Sequence, residues 1–168
     1  MRAVNVGVHQ RFQPALLAKE LAHLGVINIG AAGTFVIREA VSQSRLRTEI
    51  LRRLPFEPEM VMCPGREVLD LLAADPYRDQ RLEGVRRFVS VMSKRPKKLP
   101  RLPVLEPAGN QWEVRLIGVC GRFALCLWRR LGRSFVDSNA IVEKLFGVSA
   151  TTRNWNTIVK IGDILRAA

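Results

Sequence analysis

The chain's densest directional chemistry lies in Thr151-Thr152-Arg153-Asn154-Trp155-Asn156-Thr157, just ahead of its last apolar stripe. Asn156 or Thr157 is placed to cap the helix that follows, its side-chain oxygen accepting an orphan backbone N–H. Trp155 can bury about 150–250 Å² of surface. Capping and burial do not require Arg153 beside Asn154. A guanidinium at a helix N-terminus adds to the positive end of the dipole and to the free amides, and together these suit an anion such as phosphate. Asn5-Val6-Gly7-Val8-His9 is the second candidate, a strand-to-helix loop. Its single glycine would let a phosphate approach the backbone or simply form a tight exit from the strand. The expected ligand-binding set is therefore Asn5, Gly7, His9, Arg153, Asn154, Trp155, Asn156 and Thr157. Neither His9 nor His23 has a partner that would make a triad, and no carboxylate pair is spaced for acid–base work. No Asp/Glu/His cluster suggests a metal, and no cofactor is expected.

The third candidate is charge. The 168-residue chain has a formal net charge of +12, most of it from arginine. Between Arg81 and Arg101 eight cations, Arg81, Arg86, Arg87, Lys94, Arg95, Lys97, Lys98 and Arg101, face one carboxylate, Glu83. Such a span can contact phosphates without reading bases, or can be a solvated loop that keeps the protein in solution. The partners it points to are nucleic acid or a phosphorylated small molecule.

These residues need elements to hold them. Ala3–Val6 is the first expected strand. Leu16, Leu17, Leu21 and Leu24 stripe a helix opened by Pro14 and closed by Gly25. Val26–Ile29 and Thr34–Arg38 are strands about the turn Gly30-Ala31-Ala32-Gly33. Ser42 or Ser44 caps a helix striped by Leu46, Ile50, Leu51 and Leu54, stopped by Pro55, and Met60–Cys63 is the next strand. This half reads β-α-β-β-α-β, the ferredoxin-like order, with one sheet face left free for a partner. Its domain is residues 1–76, including a third helix that opens at Pro64 and ends at Asp75-Pro76.

Residues 77–168 are expected to form a second α+β half. Arg86–Met92 is a strand. The Pro/Lys-rich stretch 93–107 has four prolines and is expected to be irregular. Trp112–Val119 and Arg122–Trp128 form a hairpin. Ser138 or Asn139 caps a helix carrying Ile141, Val142, Leu145 and Phe146, and Ile158, Ile161, Ile164 and Leu165 stripe the last one. The fold class is α+β. Val114–Trp128 is too interrupted by Arg115, Gly118, Gly121 and Arg122 to span a membrane. Cys63, Cys120 and Cys126 lie in apolar runs without a C-x-x-C pair, as reduced thiols do. A cytoplasmic location is expected, with no signal peptide and no membrane partner.

An RNA-recognition sheet needs aromatics in its first and third strands. Here the first offers Asn5 and the third only Phe35, so that likeness stops at topology.

Arg2-Ala3-Val4-Asn5-Val6-Gly7, Ala31-Ala32-Gly33-Thr34-Phe35-Val36 and Ala150-Thr151-Thr152-Arg153-Asn154-Trp155-Asn156-Thr157 resemble the signature blocks of the domain-of-unknown-function family 1697. The resemblance spans most of the chain and is weakest through Ser93–Pro107. It implies a small bacterial α+β protein with ferredoxin-like subdomains, and no established activity. The chain departs from the family where Ala32-Gly33-Thr34 replaces Ser-Gly-Asn, where Val8 replaces a second glycine, and in having few strand residues before Arg2. A first strand of roughly four residues is short against the usual ~5–6, so a native start upstream of Met1 or a truncated strand is expected.

Three functions follow as expectations. The first is a binding module for an anionic partner. The second is a small-molecule enzyme with a site between Asn5–His9 and Arg153–Thr157. The third is a structural protein that forms a homo-oligomer through its free sheet face.

Overall fold

Pro14 fixes the first helical φ of α1 (Pro14–Glu20), whose end tightens into a 3₁₀ turn, Ala22–Leu24. Gly25 then takes the left-handed conformation, φ 60°, and turns the chain into β1 (Val26–Ile29). β1 pairs antiparallel with β2 (Thr34–Ile37) across a turn in which Gly30 and Gly33 both have positive φ. Helix α2 (Gln43–Leu51) follows, capped by Ser42, whose hydroxyl accepts from the Arg45 N–H at 3.2 Å. The computed structural model describes Met1, residues 13–131 and residues 137–167. The expected strand Ala3–Val6 lies outside the described residues.

The chain divides into two units. One comprises Met1–Met62 with Asp163–Ala168, the other Cys63–Gly162. The division therefore falls at Met62/Cys63 rather than after residue 76, and the helix that follows Pro64 belongs to the second unit.

In the first unit, Leu17, Leu21, Leu24, Leu46 and Ile50 form the core, with Val26, Phe35 and Ile37 packed against it. Leu16, expected in the stripe, is 51% exposed instead. Two expectations fail here. Residues 60–63 form no strand, and only an isolated bridge residue, Glu59, stands there. Met60 and Met62 still pack on one side, against the leucine core. Nor is a sheet face left free. Val26, Asn28, Phe35 and Ile37 share one face of the hairpin, while Ile29, Thr34 and Val36 on the other are buried too.

The second unit is built on a five-stranded antiparallel sheet in the order β4-β5-β6-β3-β7. Its elements are α3 (Gly65–Ala73), β3 (Arg86–Met92), β4 (Val104–Glu106), β5 (Val114–Cys120), β6 (Phe123–Trp128), α4 (Ser138–Phe146), β7 (Ala150–Asn154) and α5 (Trp155–Arg166). Helix α5 begins in this unit, and its last residues belong to the first. β6 and β7 are both antiparallel to β3, hence parallel to each other, and α4 is the crossover between them.

That crossover covers one face. Met92, Val114, Leu116, Ala124, Cys126 and Ala150 pack with Val142 of α4, and Phe88 and Trp128 flank them. Val89, Val91, Phe123, Leu125 and Leu127 point to the other face and are buried as well. Strand β3 is apolar on both sides for this reason, as a central strand covered on both faces must be.

Two smaller expectations are corrected. Val104–Glu106 pairs with β5 inside the stretch expected to be irregular, between cis bonds at Leu102–Pro103 and Glu106–Pro107. Asp137, not Ser138 or Asn139, caps α4, accepting from the Asn139 N–H at 2.8 Å. The cap and helix start are each one residue earlier than the apolar stripe suggests. Among the described residues no helix is long and apolar enough to cross a membrane.

Candidate functional site

The sheet has two ends, and they are built differently. Strand β3 enters at Arg86 and leaves at Met92, so the register assigns every strand terminus to one end or the other. Arg86 lies opposite Trp128, Trp128 opposite Val114, and Phe88 opposite Asn154. The first end thus gathers the start of β3, the end of β6, the start of β5 and the end of β7. All three tryptophans stand there: Trp112 just before β5, Trp128 closing β6 and Trp155 just after β7. Arginines lie on each. Arg129 sits 4.1 Å over Trp112, Arg86 5.7 Å over Trp128, and Arg87 6.0 Å from both the Tyr77 and Trp155 rings. Arg129 also donates to the Trp112 carbonyl at 2.6 Å and to the Asn110 carbonyl. A planar, weakly hydrated guanidinium stacks on rings in this way, where an ammonium would stay in water.

Tyr77 anchors this end from beneath. It is 1% exposed, meets Trp155 edge-to-face at 5.1 Å, and donates its hydroxyl to the Phe88 carbonyl at 2.5 Å. Burial raises the ionisation of that phenol well above its usual range.

The Thr151–Thr157 cluster runs along β7 toward this end, from Thr151 opposite Val91 to Asn154 opposite Phe88, and most of it is held by the chain itself. Residues 150–154 are a strand, not a loop, so α5 starts at Trp155 and its cap is Asn154. The Asn154 Oδ1 accepts from the Thr157 N–H at 3.2 Å, the role expected of Asn156 or Thr157. Thr152 and Ser90 share a hydroxyl hydrogen bond at 2.6 Å across the β3–β7 pair. Trp155 is 7% exposed. Arg153 donates from Nη1 to the Thr151 hydroxyl at 2.7 Å and the Thr152 carbonyl at 2.8 Å.

β7 is an edge strand, and its outward groups need partners. Glu143 accepts from the Ala150 N–H at 2.9 Å, while Arg153 covers the Thr152 carbonyl. Arg153 therefore closes a sheet edge. Burial lowers the pKa of its guanidinium. Asn156 is exposed on the first turn of α5.

The opposite end carries its charge in another form. Residues 93–103 stay at this end, because β4 runs back beside β5 from Val104 opposite Leu116 to Glu106 opposite Val114. Lys94, Arg95, Lys97, Lys98 and Arg101 are all exposed there. Arg122 of the β5–β6 turn ties the segment down. Its Nη1 donates to the Ser93 carbonyl at 3.3 Å, and its Nε lies 2.9 Å from the Glu67 carboxylate of α3.

Scanned against protein-family models and searched against curated proteins and solved structures, the chain gives no match.

The structure separates the sequence-predicted sites. Arg86 and Arg87 belong to the aromatic end and Lys94–Arg101 to the other, so the eight-cation span is not one surface. Arg81 is exposed in the segment leading to β3. Asn5, Gly7 and His9 lie outside the described residues, so no juxtaposition with Arg153 is drawn. His23 is exposed on the 3₁₀ turn, and Phe35 packs into the leucine core of the first unit. Among the described residues no three His, Cys, Asp or Glu side chains gather to hold a metal.

The three thiols are free. Burial pushes Cys126 up to about 12 and Cys63 up to about 11, while Cys120 is exposed beside the β5–β6 turn. Sequence reasoning missed the aromatic end. Its signal is that Arg flanks the aromatic at two strand termini, in Trp128-Arg129-Arg130 and Arg153-Asn154-Trp155.

Proposed function

We propose that the chain is a binding module for an anionic partner, a nucleic acid or a phosphorylated ligand, contacted through Lys94–Arg101. One observation carries this. Among the described residues, none of the eight cations between Arg81 and Arg101 pairs with a carboxylate. Arg47, Arg52, Arg53, Arg66, Arg78, Arg122 and Arg166 all do. Arg86 and Arg87 stack on rings instead. Lys94, Arg95, Lys97, Lys98 and Arg101 have neither kind of partner among the described residues. Five exposed cations within eight residues raise the local potential, and a polyanion that lies along them releases its own counterions.

The same proposal includes kinship with the domain-of-unknown-function family 1697 and, for the first half, a ferredoxin-like order without a regular strand at residues 60–63. Their support is the three signature-like blocks and the succession α1, β1, β2, α2. A cytoplasmic location fits the three free thiols.

The test is an anisotropy titration of a labelled duplex oligonucleotide with the wild type and with K94A/R95A/K97A/K98A. The variant should bind at least about tenfold more weakly, since each lost phosphate contact removes released counterions. Its circular dichroism should be unchanged. Equal affinity would overturn the proposal, as would a wild type that leaves duplex, single strand and anionic vesicles all unbound.

A further inference from the structure

The Lys94–Arg101 segment contains more than charge. Leu99 is 62% exposed, the highest among the large hydrophobic residues described, and Leu102 is 36% exposed. Leu99 follows Lys97 and Lys98 directly, and Pro100 and Arg101 come next. Leu99 thus stands largely in water, with cations on both sides of it in sequence. An apolar side chain held out among cations suits a partner that offers both phosphates and an apolar slot.

Nucleic acids differ in what they ask of a protein. Single strands are held by stacking bases on aromatic rings. Ser93–Pro107 contains no aromatic residue. The sheet gives no platform either, because both of its faces are buried. The tryptophans stand at the opposite end, under arginines of the same chain. A double helix asks for something else. Two rows of phosphates flank its minor groove, and an aliphatic side chain or a proline can wedge between base steps and kink the duplex. Leu99-Pro100 supplies such a wedge, and the proline ring stiffens the backbone behind it.

We propose that Lys94–Arg101 enters the minor groove of duplex DNA with Leu99 wedged between base steps. Lys97, Lys98 and Arg101 meet the flanking phosphates. This rests on the anionic-partner reading above and adds the duplex, the groove and the wedge to it.

The test uses the full chain and a duplex of about 25 base pairs with donor and acceptor dyes at its ends, a length whose bending is readily measured. Binding should raise energy transfer, because a kinked duplex brings its ends together. A single strand of the same length should bind about tenfold more weakly, lacking the groove. L99A should lose the rise in energy transfer and most of that preference, yet keep the wild-type salt dependence, since every cation remains. Leu99 is exposed, so L99A should unfold at the wild-type denaturant midpoint.

Three results would overturn the inference: a single strand bound as tightly as the duplex, a duplex bent equally by L99A, or phosphatidylserine vesicles that displace an unbent duplex. Failure of the anionic-partner reading would look different, with duplex, single strand and vesicles all left unbound.

Discussion

The two ends of the five-stranded sheet carry the same sign of charge in opposite states. At one, Arg86, Arg87 and Arg129 lie over aromatic rings, and Arg129 also gives its N–H groups to backbone carbonyls. At the other, three lysines and two arginines stand in water without a partner among the described residues. A cation count alone is therefore a poor guide to a binding surface. A guanidinium that has stacked and donated its hydrogen bonds is already in use by the fold. An ammonium on a flexible stem, with no carboxylate near, remains available to a phosphate. The arginine end should therefore govern stability, and the lysine end should govern binding.

Substitutions can break or sharpen that division. The largest effect belongs to Trp155, which is nearly buried and packs against Tyr77 and Arg87. Trp155→Ala should cost about 3–5 kcal/mol in denaturant unfolding. Trp155→Phe should lose less, and the refolded variants should bind polyanions as the wild type does. Arg153→Met comes next. It leaves the Thr152 carbonyl at the sheet edge without its guanidinium donor, at about 1–3 kcal/mol. A fall in polyanion affinity without loss of stability would return Arg153 to the binding surface and break the comparison. Asn154→Ala removes the cap of α5 and should cost about 1 kcal/mol.

At the lysine end the stability effects shrink to nothing measurable. K97A/K98A should shift unfolding by no more than about 0.5 kcal/mol, because both side chains are exposed and have no hydrogen-bond or carboxylate partner among the described residues. Thiol labelling offers a gentler probe of the same end. Cys120 is exposed there, whereas burial holds Cys63 and Cys126 in the protonated, unreactive form. Maleimide at neutral pH should label Cys120 first and leave Cys126 untouched until unfolding. A bound polyanion should slow Cys120 by about a few-fold through occlusion. Equal labelling with and without the polyanion would mean that it binds elsewhere.

The helices were legible where local signals are strong. Pro14 opens α1, Gly25 and Gly147 close their helices, and Ser42 caps α2, because proline and glycine geometry and a short hydroxyl act through neighbouring backbone alone. Arg86–Met92 and the Gly121 hairpin were legible for the same reason. Met60–Cys63 misled, since a short apolar run packs equally well as an irregular segment over a leucine core. Val104–Glu106 hid among prolines because an edge strand needs only one side of its ladder satisfied. The split crossover through α4 depends on which strands lie between β6 and β7, and no local pattern encodes that.

The site was legible in part. The polar density of Thr151–Thr157 was real, but its partners, Ser90 and the carbonyls of its own strand, come from pairing with β3 and from an edge. Trp112, Trp128 and Trp155 are far apart in sequence and come to one end of the sheet only through its register. The exposure of Leu99 likewise belongs to the folded loop and not to its composition.

The most direct test of the division is the salt dependence of duplex binding by the wild type, K97A/K98A and R86A/R129A. The lysine variant should lower the slope of log affinity against log salt by about 1.8, two phosphate contacts at about 0.9 each, with its unfolding midpoint unchanged. The arginine variant should keep the wild-type slope and lose stability. An unchanged slope in K97A/K98A, with a reduced slope in R86A/R129A, would contradict the account.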